Sequence, residues 1–373
     1  MGKKLYVIAG EASGDLHGAH LISALKKLDS KAEFRAWGGD LIEKEGVTLV
    51  KHFKDLAFMG FWEVLKNLPK ILNNIAFCKK DIMAFQPEVI IYVDYPGFNL
   101  RIAQWAKSKG FKNHYYISPQ IWAWKENRIK KMKKCIDELY VILPFEKPFF
   151  EEKHQFKVHF VGHPLMDYLL NFPQKKSFLK ENDLSTTQPI VALLPGSRMQ
   201  EIQKMLPLFK KVADLFPMYQ FVIGAAPSIA EEHYLKYTLN NTLKVVYNHT
   251  YDLLQHSSAA LVTSGTATLE TALFKVPQIV CYRTNPINFW IAKKILNLKY
   301  ISLVNLILDR PAVLELIQED CSPNRLATEL KNLMESKDKN QSLQKAYSLL
   351  NSLLGKGGAS AKTASIIYNQ IQK

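Results

Sequence analysis

Short apolar runs, rich in β-branched and aromatic side chains, recur at residues 5–9, 89–93, 114–117, 139–143, 158–161, 190–194, 221–223, 259–263 and 278–282. Between them the apolar positions follow helical patterns. Runs this short and continuous predict strands buried on both faces, and their alternation with helices predicts parallel sheets covered on both sides. The polar stretch 171–189 interrupts the pattern, and Ile190-Val-Ala-Leu-Leu restarts it with a fresh strand and a glycine loop. The expected class is α/β, with two doubly wound, Rossmann-like domains facing across a cleft and a boundary at or slightly before that polar stretch. From residue 342 onward the chain reads as helix around a Gly-Lys-Gly-Gly break, with no later strand. Open parallel sheets bind ligands at the carboxyl ends of their strands, so the chemistry belongs in strand-to-helix loops.

Composition agrees with this picture and narrows it. A chain of 373 residues with 47% hydrophobic content can bury a sizeable core, and at about 150 residues per domain it holds two domains. The apolar run at residues 5–9 is too short for a signal peptide and passes straight into Gly10-Glu11, while Tyr6 stands where a myristoylation signal needs Ser or Thr. No stretch approaches the roughly 18 apolar residues that span a bilayer. The expected location is therefore the cytoplasm. Cys78, Cys135, Cys281 and Cys321 lie far apart with no Cys-x-x-Cys pair, which signals neither a disulfide framework nor a zinc site. The net charge of +15 fits an anionic partner, whether nucleic acid, anionic lipid or a phosphorylated substrate, or else a solvated lysine-rich surface, and charge alone does not choose among them.

Three loops carry candidate chemistry. Ala9-Gly-Glu-Ala-Ser-Gly-Asp-Leu-His-Gly18 follows a strand and opens a helix. Its glycines allow close backbone approach and its helix N-terminus favours an anion, with Ser13 as a donor-side candidate; the competing reading is a tight turn with capping residues. It is neither a Walker A loop nor Gly-x-Gly-x-x-Gly. In Leu194-Pro-Gly-Ser-Arg198, Gly196 exposes backbone amides, Ser197 offers a hydroxyl, and Arg198 a planar fork suited to phosphate. The competing reading is a surface turn whose Arg198 pairs with Glu201. Thr263-Ser-Gly-Thr-Ala-Thr-Leu-Glu270 places Ser264, Gly265 and Thr266 at a helix start, where a diphosphate would rest while Glu270 accepts from ribose hydroxyls. The competing reading there is a well-capped helix with a solvent-facing glutamate.

Tyr92-Val-Asp94-Tyr-Pro-Gly-Phe-Asn99 ends a hydrophobic strand on a carboxylate placed to take a hydroxyl proton, or simply to cap a turn. Glu11 and Asp15 are competing carboxylates on the neighbouring loop. Residues 56–83 crowd Phe58, Met59, Phe61, Trp62 and further apolar side chains among lysines. Such a segment suits an anionic membrane surface or a lipid chain, or else a partly buried helix. The basic run 125–134, with Arg128 and Lys131, follows the aromatic cluster Ile117-Ser-Pro-Gln-Ile-Trp-Ala-Trp124. It fits a headgroup phosphate or a solvated helix face.

These pieces together resemble the lipid-A-disaccharide synthases over nearly the whole chain. The matching segments are Ala9-Gly-Glu-Ala-Ser-Gly-Asp, Met59-Gly followed by Glu63-Val-Leu, Asp94-x-Pro-x-Phe-Asn, Ser118-Pro-x-x-Trp-Ala-Trp, Leu143-Pro-Phe-Glu-Lys, Gly162-His-Pro, Leu193-Leu-Pro-Gly-Ser-Arg, Ser264-Gly-Thr-Ala-Thr-Leu-Glu, Tyr282-Arg and Tyr300-Ile-Ser-Leu-Val-Asn-Leu. The resemblance implies a metal-independent, inverting glycosyltransferase of GT-B type with no cofactor. Its donor would be UDP-2,3-diacylglucosamine, its acceptor 2,3-diacylglucosamine 1-phosphate, and its product a β(1→6) disaccharide 1-phosphate plus UDP.

Asp94 then resembles the family's essential aspartate, as base on the acceptor hydroxyl, and Arg198 its essential arginine at the departing diphosphate. Ser264, Gly265, Thr266 and Glu270 match the nucleotide loop, and Asn305 matches the asparagine of a Ser-x-Pro-Asn-Leu segment. Gly97 stands where some relatives carry a second aspartate, and Val304 where proline is common. The resemblance also implies that the C-terminal helix, 345–373, returns to an acceptor and membrane-binding domain at 1–170, leaving 171–344 to bind the UDP-sugar. The expected setting is the inner face of a bacterial inner membrane, peripherally bound, with no nucleic-acid partner.

Two other classes compete. A UDP-N-acetylglucosamine 2-epimerase shares the architecture, and turnover without a lipid acceptor would favour it. A nucleic-acid-binding protein is suggested by charge alone, and salt-sensitive, sequence-tolerant oligonucleotide binding would mark it.

Overall fold

The computed structural model describes residues 2–55, 68–169, 172–238, 243–286, 289–290, 294 and 298–372. The chain divides into two compact units, Met1–Leu170 with Leu354–Lys373, and Asn171–Leu353.

The first unit is built on a parallel sheet of β1 (Lys4–Ala9), β2 (Glu33–Gly38), β3 (Thr48–His52), β4 (Val89–Val93), β5 (Lys112–Tyr116), β6 (Glu138–Val141) and β7 (His159–Phe160). Its order is β3-β2-β1-β4-β5-β6-β7. The chain therefore winds one way from β1 to β3 and the other way from β4 onward, and the switch point lies between β1 and β4. All five residues of β4, Val-Ile-Ile-Tyr-Val, are buried, as expected for a central strand covered on both faces. Tyr92, Phe98, Tyr115 and Trp37 sit in its core.

The second unit carries a parallel sheet of β8 (Ile190–Leu194), β9 (Gln220–Ala225), β10 (Leu243–Tyr247), β11 (Ser257–Thr263), β12 (Gln278–Tyr282) and β13 (Leu314–Ile317), ordered β10-β9-β8-β11-β12-β13. Its switch point falls between β8 and β11. β8 is again fully buried.

The hydrophobic pattern misses β2, β3, β10 and β13 and locates the other strands. Of these, β3, β10 and β13 are edges, and their sequences Thr-Leu-Val-Lys-His, Leu-Lys-Val-Val-Tyr and Leu-Glu-Leu-Ile mix charge into the run. Edge strands bury less and need no continuous apolar stretch. In β2 the outward Arg35 is satisfied by a fork on Asp81, at 2.5 Å and 3.1 Å.

Two helices close the chain, Lys337–Leu354 and Ala359–Ile371. The first stays with the second unit up to residue 353, because Tyr347 Oη donates to Val276 O (3.2 Å) and Gln344 Nε2 to Lys275 O (2.8 Å). The return to the first unit thus begins at residue 354 rather than 345. There Ala359–Ile371 packs on the helix Ala12–Leu28. The Asp167 carboxylate accepts from the Ala359 and Ser360 amides, both at 3.0 Å, and caps its free N-terminus.

Candidate active site

At the first unit's switch point, the loops after β1 and β4 lie side by side. Asp94 and Tyr95 both adopt left-handed backbone, φ +45° and +51°, a conformation costly for residues with a β-carbon. The surroundings enforce it. Pro96 starts the helix Pro96–Ser108, while buried Asn99 donates its amide to Asp94 O at 2.6 Å, and Tyr115 Oη donates to the same oxygen at 2.5 Å. The Asp94 amide in turn donates to Tyr116 O at 3.0 Å. Every bond made by the Asp94 main chain thus serves to present its side chain. Gly10 belongs to the same device, since a β-carbon there would lie 2.2 Å from the Tyr95 ring.

The Asp94 carboxyl is pushed up to about 6, first by burial and then by the negative charge of Glu11, against a lowering hydrogen bond from the Tyr95 amide. Asp15, the other carboxylate of that loop, is spoken for. It is buried and accepts from Gly39 N (2.6 Å), Leu41 N (3.0 Å) and Ile42 N (3.1 Å), which caps the short helix Asp40–Lys44. Ser13 sits exposed in the first turn of Ala12–Leu28, in the first unit, apart in the chain from the other donor-side candidates, which belong to the second.

Glu146 had no assigned role in the sequence beyond its place in Leu143-Pro-Phe-Glu-Lys. It is 1% exposed, and its Oε2 accepts from Ile142 N (3.0 Å) and Leu143 N (2.8 Å). Burial drives this carboxyl up to about 7, and the charge of Asp94 adds to the rise. Neighbouring Phe145 packs edge-on against Trp122, ring centroids 4.9 Å apart. On the adjoining surface Trp124 is exposed, with Lys125 Nζ 4.3 Å and the Arg128 guanidinium 5.3 Å from its ring centre. Partial burial and the nearby Arg101 and Arg128 charges lower the pKa of Lys131.

In the second unit the loop after β8 bends at Gly196 (φ +107°), where a β-carbon would strike Glu201 Oε2 at 2.3 Å. Glu201 uses that oxygen to accept from Ser197 N (3.0 Å) and Arg198 N (3.2 Å), opening the helix Met199–Ala213. The Arg198 side chain is 70% exposed and touches Glu201 at 3.4 Å, the pairing that the competing sequence reading expected. A pair this open and this long leaves most of the guanidinium's donors to solvent or to a ligand.

The loop after β11 leads through Ser264 and an extended Gly265 into the helix Thr266–Leu273. Glu270 is not solvent-facing: it is partly buried, accepts from Tyr251 Oη at 3.0 Å, and burial raises its carboxyl above the ordinary value.

Asn305 stands differently from the sequence expectation. It is 1% exposed, and its side chain is consumed by Val313 O (2.9 Å), Glu315 Oε1 (2.8 Å) and the Val313 amide (2.9 Å). It holds a loop, and its amide is not free for a nucleotide. The same Glu315 accepts from the Ile301 and Ser302 amides at 3.0 Å and 2.9 Å, and Ser264 Oγ donates to Ile301 O at 2.7 Å. Glu315 lies on an edge strand the pattern did not reveal.

Phe58, Met59, Phe61 and Trp62 lie outside the described residues. Among the described residues no helix is long and apolar enough to cross a membrane, and no three His, Cys, Asp or Glu side chains gather to hold a metal ion.

A family model described as lipid-A-disaccharide synthetase matches residues 5–368. The chain is 37% identical over 373 residues to the lipid-A-disaccharide synthase of Coxiella burnetii, covering 99% of each. It is 34% identical over 377 residues to that of Trichlorobacter lovleyi, covering 100% of this chain and 98% of the relative. Among solved structures it is similar to the UDP-GlcNAc 2-epimerase of Neisseria meningitidis bound to UDP-GlcNAc, with TM-score 0.68, 12% identity and coverage of 98% and 100%. It is also similar to a calicheamicin glycosyltransferase, with TM-score 0.64, 13% identity and coverage of 100% and 99%. At such identities these structures speak to the fold, which epimerases and glycosyltransferases share.

Proposed function

The chain belongs to the lipid-A-disaccharide synthase family, and on that premise we propose how its strand-end groups divide the reaction. A member of this family is a glycosyltransferase of lipid A biosynthesis that takes a nucleotide-sugar donor and a sugar acceptor. The family's reaction joins UDP-2,3-diacylglucosamine to 2,3-diacylglucosamine 1-phosphate through a β(1→6) bond and releases UDP.

Asp94 is the general base. As the acceptor hydroxyl attacks the donor's anomeric carbon, the carboxylate takes its proton, and the bond to the diphosphate breaks with its electrons leaving on UDP. The observation that carries this assignment is a carboxyl held in strained backbone at the switch point and pushed up to about 6. Such a group is ionised near neutrality yet more basic than an ordinary aspartate, the combination general-base catalysis asks for. Arg198 stabilises the departing diphosphate, supported by its largely uncommitted guanidinium beside the Gly196 and Ser197 amides. Ser264, Gly265 and Thr266 receive the nucleotide phosphates at their helix start, and Glu270 accepts from ribose. Asn305 and Glu315 keep that loop in place rather than touching the nucleotide.

The acceptor and the membrane fall to the first unit. Trp124 with Lys125 and Arg128 offers an aromatic plate with two cations for a headgroup phosphate, and Leu72, Phe77 and Met83 are exposed on the helix Leu68–Phe85. These support a peripheral enzyme on an anionic surface at the inner face of the inner membrane. Supplying the two diacylated sugars together and following products by mass spectrometry tests the whole reading. UDP and a disaccharide phosphate should appear together, whereas donor turnover without acceptor would overturn it.

A further inference from the structure

We propose that Arg283 is a second cation contacting the donor's diphosphate, and that Gln318 is the positioning residue that holds the Arg283 loop for that contact. The proposal deepens the donor-site reading and rests on it.

A cavity of about 360 Å³ lies at the strand ends of the second unit, with Arg198, Glu201 and Lys204 on one side and Tyr282, Arg283 and Thr284 on the other. Three cationic side chains thus face one acid. That acid is already engaged, since Glu201 accepts from the Ser197 and Arg198 amides and sits 3.4 Å from Arg198 Nη1. Among the described residues Arg283 has no carboxylate partner, and it is exposed. Like charges gathered in excess of their counter-charge repel one another, so the arrangement suits a bound polyanion carrying at least two charges. A planar guanidinium on each wall matches the two phosphoryl groups of a nucleoside diphosphate.

The backbone behind Arg283 is built for a fixed position. In register, β12 and β13 pair up to Tyr282 and Ile317, and the residue that follows β13 is Gln318. It is 5% exposed, and its backbone is left-handed at φ +53°. Its side-chain Oε1 accepts from Thr284 N at 2.7 Å, and its Nε2 donates to Thr284 O at 3.3 Å. Both ends of one buried amide are therefore spent on the main chain adjoining Arg283. A strained, buried polar residue that clamps a loop beyond the end of its strand points to a loop whose position matters for function.

The test measures binding of UDP, UMP and uridine, together with steady-state kinetics, on the full chain. Arg283→Gln should weaken UDP roughly 10- to 100-fold, as for a lost charge-assisted hydrogen bond. It should weaken UMP far less, leave uridine unchanged, and keep the melting temperature. Arg283→Lys should recover part of the loss. Gln318→Met should give the same UDP-selective loss in smaller measure, and that selectivity is what a merely structural clamp would not produce. Equal losses for all three ligands, or no loss for any, would overturn the proposal. Arg198→Ala, titrated alongside, separates the two claims. If Arg198→Ala discriminates UDP from UMP and Arg283→Gln does not, this inference alone fails. If the reverse holds, the reading of Arg198 fails and Arg283 stands as the diphosphate contact.

Discussion

At the end of β4 the backbone itself is bent to deliver one carboxyl, with Asp94 and Tyr95 both left-handed and every main-chain bond committed. At the end of β8 the glycine takes the bend, and the functional side chain stands open to solvent. Both loops flank the switch point of their sheet, the first after the strand that follows the switch and the second after the strand that precedes it. The difference suits the roles proposed for them: a base must be aimed and partly desolvated to be strong, while a leaving-group cation must reach a charge that develops during reaction. The first site invests in burial and strain, the second in accumulated positive charge.

The sharpest way to break this contrast is Asp94→Asn. It should lower turnover by about 10²- to 10⁴-fold, the usual worth of general-base catalysis, while UDP affinity stays close to that of the native chain. Retention of most activity would remove Asp94 from the mechanism. The same substitution has a stability signature of definite sign. A carboxyl raised in the folded state favours folding while it is protonated, and loses that advantage as pH rises through about 6. Asn cannot ionise, so the variant should melt higher than the native chain at pH 8 and much like it at pH 4. An equal or lower melting temperature at pH 8 would mean that the site stores no such cost.

Arg198→Ala should cost turnover about 10²- to 10³-fold, as for loss of one preorganised electrostatic group. Arg198→Lys should restore only part, because a point charge lacks the planar fork. Full rescue by Lys would reduce Arg198 to a general positive charge, and the second site would then owe nothing to geometry.

How far the sequence reached follows from the same contrast. Central strands such as β4 and β8 are continuous apolar runs because both faces are covered, so their ends, and with them Asp94 and Arg198, could be found by pattern. The edges β3, β10 and β13 carry charge and could not, and two groups that brace loops of the second unit sit on or beside one of them. Glu315 on β13 and Gln318 just past it have no periodicity to betray them. Asn305 illustrates the complementary failure. The motif around it marked the residue, but only the bonds to Val313 and Glu315 show that its amide is used internally. Glu146 and Arg283 stood in quoted motifs without a role, since neither burial nor the charge around a cavity is written in spacing.

The pH profile sharpens the first half of the comparison. The proposed base acts in its ionised form, so kcat/KM should rise through about pH 6 and level off above it. Glu11→Gln removes the second-largest cause of the raised value. The rising limb should move to lower pH but not reach that of an ordinary aspartate, because burial, the larger cause, remains. An unmoved limb would show that Glu11 does not act on Asp94. On the nucleotide side, Glu270→Gln should weaken UDP several-fold and weaken a 2′-deoxyribose analogue less. Equal losses would contradict the ribose contact.

The smallest expected effect is none at all, from EDTA. Among the described residues no metal-binding cluster is present, but the positive argument lies in the cavity that Arg198, Lys204 and Arg283 share. Metal-dependent glycosyl transfer uses a divalent ion to neutralise the diphosphate as it departs, and fixed side-chain cations placed there can perform the same neutralisation without an ion. Native activity should therefore be unchanged by chelation and unchanged again by added Mg²⁺. Arg198→Ala gives this expectation a second arm, since a diphosphate left short of charge would gain from a soluble cation, and millimolar Mg²⁺ should raise the variant's rate while leaving the native rate alone. If EDTA abolished native activity and Mg²⁺ restored it, the cationic cluster would not be the agent that stabilises the leaving group, and the contrast between an aimed base and an accumulated charge would lose its second term.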